Sequence, residues 1–457
     1  MRNRLLLLVA VLTLVAAACG GDDSADTTAA SGADGGTDTT AVADGSADAS
    51  SDVTIELARF FGDCDDTTQG VTDVSQATTE CEVIQILTNA FNADDNGITV
   101  EKLGGQAWDS YYTQLSTTFA SDSPPNVAVM HSHRLPDYAG RDLLRPIGDD
   151  LASAGVDFSD YTQPAQDGAT FDGQVYAAPF DIHGSLWHMN VDIFTEAGLV
   201  DDDGNPILPS SPEELIAQAE AIQSATGKQY FGQDWFEFGV GARLFLGLVE
   251  QQGGSIVNAD GTATVNTPEG QEALRLLNEL AADTSDPTQG YTDSQAAFLN
   301  GDIAVLHNGT WVVDQYDTDA GFDYRVVSLP VVYDQPGAWG DSHMWVLPAA
   351  SNEDPAMRAA SLEFMKYLYD NIGAWAKGTG HLANRTSILT SGELDDAPQR
   401  SNYGDAADTA TFVPAVPNWA GAWDALAEEL NATWISGKDQ EAALADAEAR
   451  MNEELSS

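Results

Sequence analysis

Histidine and carboxylate are the side chains in this sequence whose types and spacing could do chemistry. His131-x-His133 brings two imidazoles close along the chain, and with a third histidine and an acid they could ligate Zn²⁺. The other histidines are His183, His188, His307, His343 and His381. Asp and Glu number 72. A glycoside hydrolase needs only two of them, set about 5 to 10 Å apart across a scissile bond, and so many acids single out no such pair. The signatures His-Glu-x-x-His, Gly-x-Ser-x-Gly, the phosphate loop and Cys-x-x-Cys do not occur. Turnover has no local signature here.

Such side chains need a scaffold. The body from Val53 to Ser457 offers about 400 residues, too many for one core and suited to two lobes. Val53 to Ala58 reads as a strand, and Val83, Ile86, Leu87, Ala90 and Phe91 mark one face of a helix. Ile98 to Leu103 is again a strand and Tyr111 to Ala120 a helix. Val127-Ala128-Val129-Met130 is an apolar run suited to a buried parallel strand. Ser211-Pro212-Glu213-Glu214 places a cap, a first-turn proline and a glutamate in the order that starts a helix. Thr267-Pro268-Glu269 and Asp354-Pro355-Ala356 repeat the cap-then-proline device, the latter opening a predicted helix over 355–370. Ile303 to Leu306 and Arg325 to Leu329 read as strands. The class is α/β, with no transmembrane segment and no repeat in the body.

Upstream, Arg2 and Arg4 precede an apolar stretch from Leu5 to Val15, then Ala16-Ala17-Ala18-Cys19. This is the layout of a secretory signal over 1–18, too short and wrongly flanked for a membrane span. A cysteine directly after small residues resembles the bacterial lipobox. That resemblance implies lipidation of Cys19 and a chain tethered to the outer face of the bacterial cell membrane. Residues 19–52 then form a linker whose Gly, Ala, Ser, Thr and Asp cannot bury enough apolar surface to fold. As a flexible coil it spans roughly 30 Å. Export puts Cys64 and Cys81 where disulfides persist, and closing the polar loop between them would stabilise the fold by on the order of 3 kcal/mol. The formal net charge of −54 repels phosphate backbones and excludes nucleic acid as an expected partner.

A series of local signatures follows in order. Asn89-Ala90-Phe91-Asn92, Trp108, Tyr111-Tyr112 and Ser123-Pro124-Pro125-Asn126-Val127 come first. Phe171-Asp172-Gly173-Gln174-Val175-Tyr176-Ala177-Ala178-Pro179-Phe180-Asp181 and Trp187-His188-Met189-Asn190 come next. Gln252-Gly253-Gly254, Thr267-Pro268-Glu269-Gly270, Phe298-Leu299-Asn300-Gly301, Asn308-Gly309-Thr310-Trp311 and Pro414-Ala415-Val416-Pro417-Asn418-Trp419 complete the set. The series resembles extracellular solute-binding protein family 1, the carbohydrate-binding receptors of ABC importers related to the maltose-binding proteins. It covers nearly all of 53–457.

The resemblance implies a two-lobed periplasmic-binding-protein-like fold closing as a hinge around ligand. The first crossing is expected near Pro179–Asp181 and the second near Gly340–Met344. Lobe I would comprise 53–180 plus 344–390, and lobe II 182–340 plus 391–457. A pyranose offers an apolar face and a rim of hydroxyls, so it suits an indole beneath and planar polar groups beside it. By position in the family pattern, Trp108, Trp235, Trp311, Trp419 and Trp423 are candidate aromatic contacts. Asp63, His133, Arg134, Asp181, His183, Asp341, His343 and Arg385 are candidate polar ones, with Asn384 beside the last.

The implied function is capture of a sugar or oligosaccharide and its delivery to a membrane permease, by a monomer with no cofactor, no resident metal and no catalysis. A zinc receptor built on His131, His133 and a histidine of the facing lobe is the alternative binding function. A surface glycan-binding lectin is another.

Overall fold

All five residues of Val127–His131 are buried, as a strand covered on both faces must be. The computed structural model, which describes residues 53–104, 108–121 and 123–457, places this strand at the centre of the first of two large sheets. The readings made on the signal, Cys19 and the linker lie outside the described residues.

In chain order the described strands are β1 (Val53–Ala58), β2 (Ile98–Lys102), β3 (Val127–His131), β4 (Thr170–Phe171), β5 (Gln174–Val175), β6 (Ala177–Pro179) and β7 (His183–Asn190). They continue with β8 (Gln229–Gly232), β9 (Ile303–Gly309), β10 (Tyr324–Ser328), β11 (Ala338–Asp341), β12 (His343–Val346) and β13 (Ala410–Phe412). The first large sheet has the order β2-β1-β3-β12-β6, with β1 parallel to β2 and β3, and β12 antiparallel to both its neighbours. The second has the order β13-β11-β7-β9-β8, with β10 joined to β7. A hairpin of β4 and β5 stands apart.

The chain passes between the sheets at two adjacent points. Phe180-Asp181-Ile182 links β6 of the first sheet to β7 of the second, and Ser342 links β11 of the second to β12 of the first. Register brings the crossings together: His343 pairs with His131, and Asp341 with His183. The Phe180 N–H also donates to the His343 carbonyl at 2.7 Å. Each sheet has its own apolar core. Ile55, Val127, Met130, Phe180, Trp345 and Trp375 belong to one, and Trp187, Phe231, Trp235, Phe245, Leu277 and Trp419 to another.

Local signals start the helices as expected. Ser211 accepts from the Glu214 N–H at 3.2 Å, Thr267 from the Gly270 N–H at 3.1 Å, and Asp354 from the Ala356 N–H at 2.8 Å, each satisfying a first-turn donor. The helix Pro355–Asp370 buries Leu362, Phe364, Met365 and Leu368. Strand β9 runs farther than the apolar reading, which stopped at Leu306. His307 and Asn308 continue it because each is bonded inside: His307 Nδ1 to Gln233 at 3.0 Å, and Asn308 Nδ2 donating to the Tyr316 hydroxyl at 3.3 Å. The expected disulfide joins Cys64 to Cys81, the latter in the helix Glu80–Ala93.

Candidate ligand-binding cleft

The two crossings each carry one fully buried carboxylate. Asp181, at 0% exposure, accepts from Trp375 Nε1 at 2.7 Å and from the His343 N–H at 3.0 Å, and bonds the Nδ1 atoms of His343 at 2.7 Å and His183 at 3.1 Å. Burial alone would raise its pKa, but His343 and His381 beside it hold it well below the usual carboxylate range. Burial likewise pulls His343 down, yet the Asp181 carboxylate outweighs this and keeps its pKa above the ordinary value. His183 has no such surplus, and burial takes it down to about 4. The two imidazoles stack with centroids 4.1 Å apart over a single carboxylate.

Asp341 accepts from the Ser132 and Ser342 N–H groups at 3.1 and 2.8 Å, and also bonds the Ser132 hydroxyl and His133 Nδ1. Burial is again overcome, chiefly by His133, so this carboxyl too lies well below its usual range. His131 stands between the crossings, with its Nδ1 2.6 Å from the Tyr112 hydroxyl and its ring stacked on Phe60 at 5.0 Å. Burial, then His343, depresses its pKa far below that of a free histidine.

Above this polar floor lies a cleft of two cavities. One, of about 390 Å³, is lined by Phe60, Phe61, Glu80, Trp108, His131, His183, Phe238, Val240, Arg243, Tyr291, Thr292, Trp311, Trp339 and His343. The other, of about 730 Å³, is lined by residues including Tyr112, His133, Arg134, Phe236, Gly239, Trp419, Trp423, Asp424 and Glu428. Trp108, Phe238, Arg243 and Trp339 border both, so the two are continuous. Trp311 donates from Nε1 to the Tyr291 hydroxyl at 2.7 Å. Its ring lies over Gly309, where an added Cβ would fall 2.0 Å from a ring carbon. Only glycine admits that approach. Arg243 spans two indoles, 4.3 Å from the Trp339 ring centre and 5.3 Å from Trp311.

Of the residues expected to meet a ligand, Trp108, His183, Trp311 and His343 line the first cavity, and His133, Arg134, Trp419 and Trp423 the second. Asp181 and Asp341 lie beneath them as partners of the histidines rather than in either lining. Three residues sit elsewhere. Trp235 is 0% exposed and packs on Phe231 and Trp434 in the second core, while its neighbour Phe236 is the one that turns to the cleft. Arg385 is held by Asp160 at 2.8 Å and lies over Tyr369 at 3.9 Å. Asp63 is exposed and paired with Lys102 at 3.2 Å.

Sequence reasoning missed Phe238, Arg243, Tyr291 and Trp339. Arg243 had a readable signal, being the only charge in the apolar stretch Val240 to Val249. Trp339 adjoins the second crossing, Gly340-Asp341, but its own type says nothing about which way it faces.

Several of these groups have the chemistry of cation ligands. His131, His183 and His343 each offer a ligand atom within 4.8 Å of the others; Glu80, His343 and His381 do the same, as do Asp181, His183 and His381. His131-x-His133 does not act as a unit, because His133 turns to Asp341.

The model of the family described as bacterial extracellular solute-binding protein matches residues 87–402. The diacetylchitobiose binding protein DasA of Streptomyces coelicolor is 23% identical over 332 residues, covering 69% of this chain and 73% of that one. The lactose-binding protein of Rhizobium radiobacter is 24% identical over 326 residues, covering 66% and 73%. The GacH receptor of Streptomyces glaucescens, solved unliganded and with acarbose, has the same fold. It matches with a TM-score of 0.74 at 21% identity, over 88% of this chain and 98% of that one.

Proposed function

The chain belongs to the bacterial extracellular solute-binding proteins, and on that premise we propose that it is the receptor of an ABC importer, capturing a sugar or oligosaccharide and delivering it to a membrane permease. One observation carries the reading: a continuous cleft between two sheets, faced with the indoles Trp108, Trp311, Trp339 and Trp423 above a floor of bonded imidazoles. Indole faces suit the C–H surface of a pyranose, and imidazole and guanidinium groups suit its hydroxyls. DasA and the lactose-binding protein carry sugars, not zinc, in their names, which favours this reading over the zinc receptor and the lectin.

Capture without turnover fits the floor. Asp181 and Asp341 are buried and bonded on several sides, and Glu80 is held by His381 at 2.7 Å. The lobes 53–180 plus 344–390 and 182–340 plus 391–457 would close about Asp181 and Ser342. The family is extracellular, so the chain works outside the cytoplasm, and Cys19 would anchor it by lipid to the outer face of the membrane. Among the described residues no helix is long and apolar enough to cross one.

Titration calorimetry of the exported chain against mono- and oligosaccharides, with and without chelator, tests the function. Micromolar binding that survives chelator and is lost in Trp311→Ala is expected. Heat with Zn²⁺ alone, abolished in His183→Ala, would overturn it.

A further inference from the structure

Arg243 stands where the two cavities meet. Its guanidinium faces Trp339 and Trp311, and its Nε has no hydrogen-bond partner. Among the described residues no carboxylate forms an ion pair with it. The acids around it are already engaged: Asp181 by His183, His343 and Trp375, Asp341 by Ser132 and His133, and Glu80 by His381. Asp234, at the mouth of the same helix, accepts three backbone N–H groups, from Phe236, Glu237 and Phe238, at 3.1, 2.9 and 2.6 Å. The guanidinium is half-buried at the cleft surface, its charge balanced by the indole faces and by Asp234 and Asp341 without a direct ion pair, so it keeps hydrogen-bonding capacity for an acceptor on a ligand.

Two further features at the same place point to the same ligand. The helix Val240–Gln251 begins at Gly239, which supplies no side-chain cap, and both Gly239 and Val240 border the cleft. The Ala242 N–H already bonds the Gly239 carbonyl at 3.1 Å and Asp234 sits just before the helix, so what its start offers an anion is the N–H groups of Gly239 and Val240 at the cleft edge. His183 is 2% exposed, lines the first cavity and has an unpartnered Nε2, while His343, in the same lining, gives its Nδ1 to Asp181.

We propose that the captured sugar carries an anionic group, a carboxylate or a phosphate, received by Arg243 together with His343 and the open end of the Val240–Gln251 helix. The inference rests on the sugar-receptor reading and names the class of sugar. A planar guanidinium can grip a carboxylate or phosphate through two parallel bonds, and Trp311 and Trp339, in edge-to-face contact with centroids 6.4 Å apart, line the cavity beside it. A neutral sugar would leave the guanidinium unpaired, and sites of that kind discriminate strongly against the analogue that lacks the partner.

Calorimetry of the exported chain with matched ligands tests this: glucose, glucuronate and glucose 6-phosphate, the corresponding disaccharides, and acetate and inorganic phosphate alone. The acidic sugars are expected to bind about 10-fold or more tighter than their neutral matches. Arg243→Gln should remove that preference and Arg243→Lys keep part of it, with melting curves checking that both variants fold. The comparison of matched sugars on the unaltered protein stands even where a variant fails to fold. Whether glucuronate or glucose 6-phosphate wins identifies the anion. Neutral sugars binding as tightly as acidic ones would overturn the proposal and leave the receptor reading intact, as would a preference that persists in folded Arg243→Gln. Binding of acetate or phosphate with no sugar bound in any form would overturn both.

Discussion

His188 and His307 should make the second sheet sensitive to acid. They are 0% and 1% exposed. His188 bonds the Tyr324 hydroxyl through Nδ1 at 2.7 Å and His307 bonds Gln233 at 3.0 Å, leaving both Nε2 atoms without a partner. Burial lowers each pKa to about 3, whereas the unfolded chain takes up a proton on each near 6.5. Between those values the unfolded state binds more protons, so stability falls as pH falls. The loss is about 1.4 kcal/mol per pH unit for each histidine. From pH 6.5, where the unfolded imidazoles are half protonated, to pH 4.5 that amounts to about 5 kcal/mol for the pair. Urea unfolding across this range, comparing the native chain with His188→Asn/His307→Asn, isolates the effect because every other titrating group is common to both. The double variant should be less stable at pH 7.5, from imperfect packing, but its pH dependence should be shallower by about that 5 kcal/mol. A variant that loses as much stability as the native chain between pH 6.5 and 4.5 would falsify the premise that these imidazoles are held neutral.

Replacing Asp181 with alanine leaves the His343 imidazolium buried without its carboxylate, and breaking such a pair should cost about 3 to 5 kcal/mol in urea unfolding at neutral pH; a loss under about 1 kcal/mol would show that the pair is not charged. In Gly309→Ala the new methyl would meet the Trp311 ring at 2.0 Å, so the indole must leave its seat. Sugar affinity should drop by about 10-fold or more, with the circular dichroism spectrum unchanged; unchanged affinity would remove Trp311 from the site. Cys64→Ser/Cys81→Ser should lower stability by roughly 3 kcal/mol, matched by adding reductant to the native chain, and no shift in urea midpoint would mean the loop is held without the bridge.

Much of the scaffold was legible because its signals are local. A cap residue followed by proline satisfies the first turn of a helix whatever the rest of the chain does, so Ser211, Thr267 and Asp354 marked three helix starts. An apolar run such as Val127 to Met130 has nowhere to go but a covered strand. Strand β9 was read short because polarity at His307 and Asn308 looked like an end. Their partners, Gln233 and Tyr316, lie in other elements, and a sequence scan does not see a hydrogen bond made across the fold.

The same boundary divides the site. Trp311 and Trp423 reach the cleft because position in the chain and position in space coincide there, but adjacent aromatics at Trp235 and Phe236 turn opposite ways, and only the packing of Trp434 and Phe231 decides which is buried. Arg385 was expected in the cleft and found Asp160 instead, a partner 225 residues away. The crossings show why the histidines gather where they do. A polar group on a segment passing between two cores cannot be solvated, so each crossing carboxylate needs donors from both sides: Asp181 draws on His183 of the second sheet and His343 of the first, and Asp341, at the end of a second-sheet strand, draws on Ser132 and His133 beyond the first. Groups at the junction move least when lobes turn about it. A floor built there would keep its hydrogen bonds through closure, whereas Trp108 and Trp423, on helices away from the crossings, would move with their lobes.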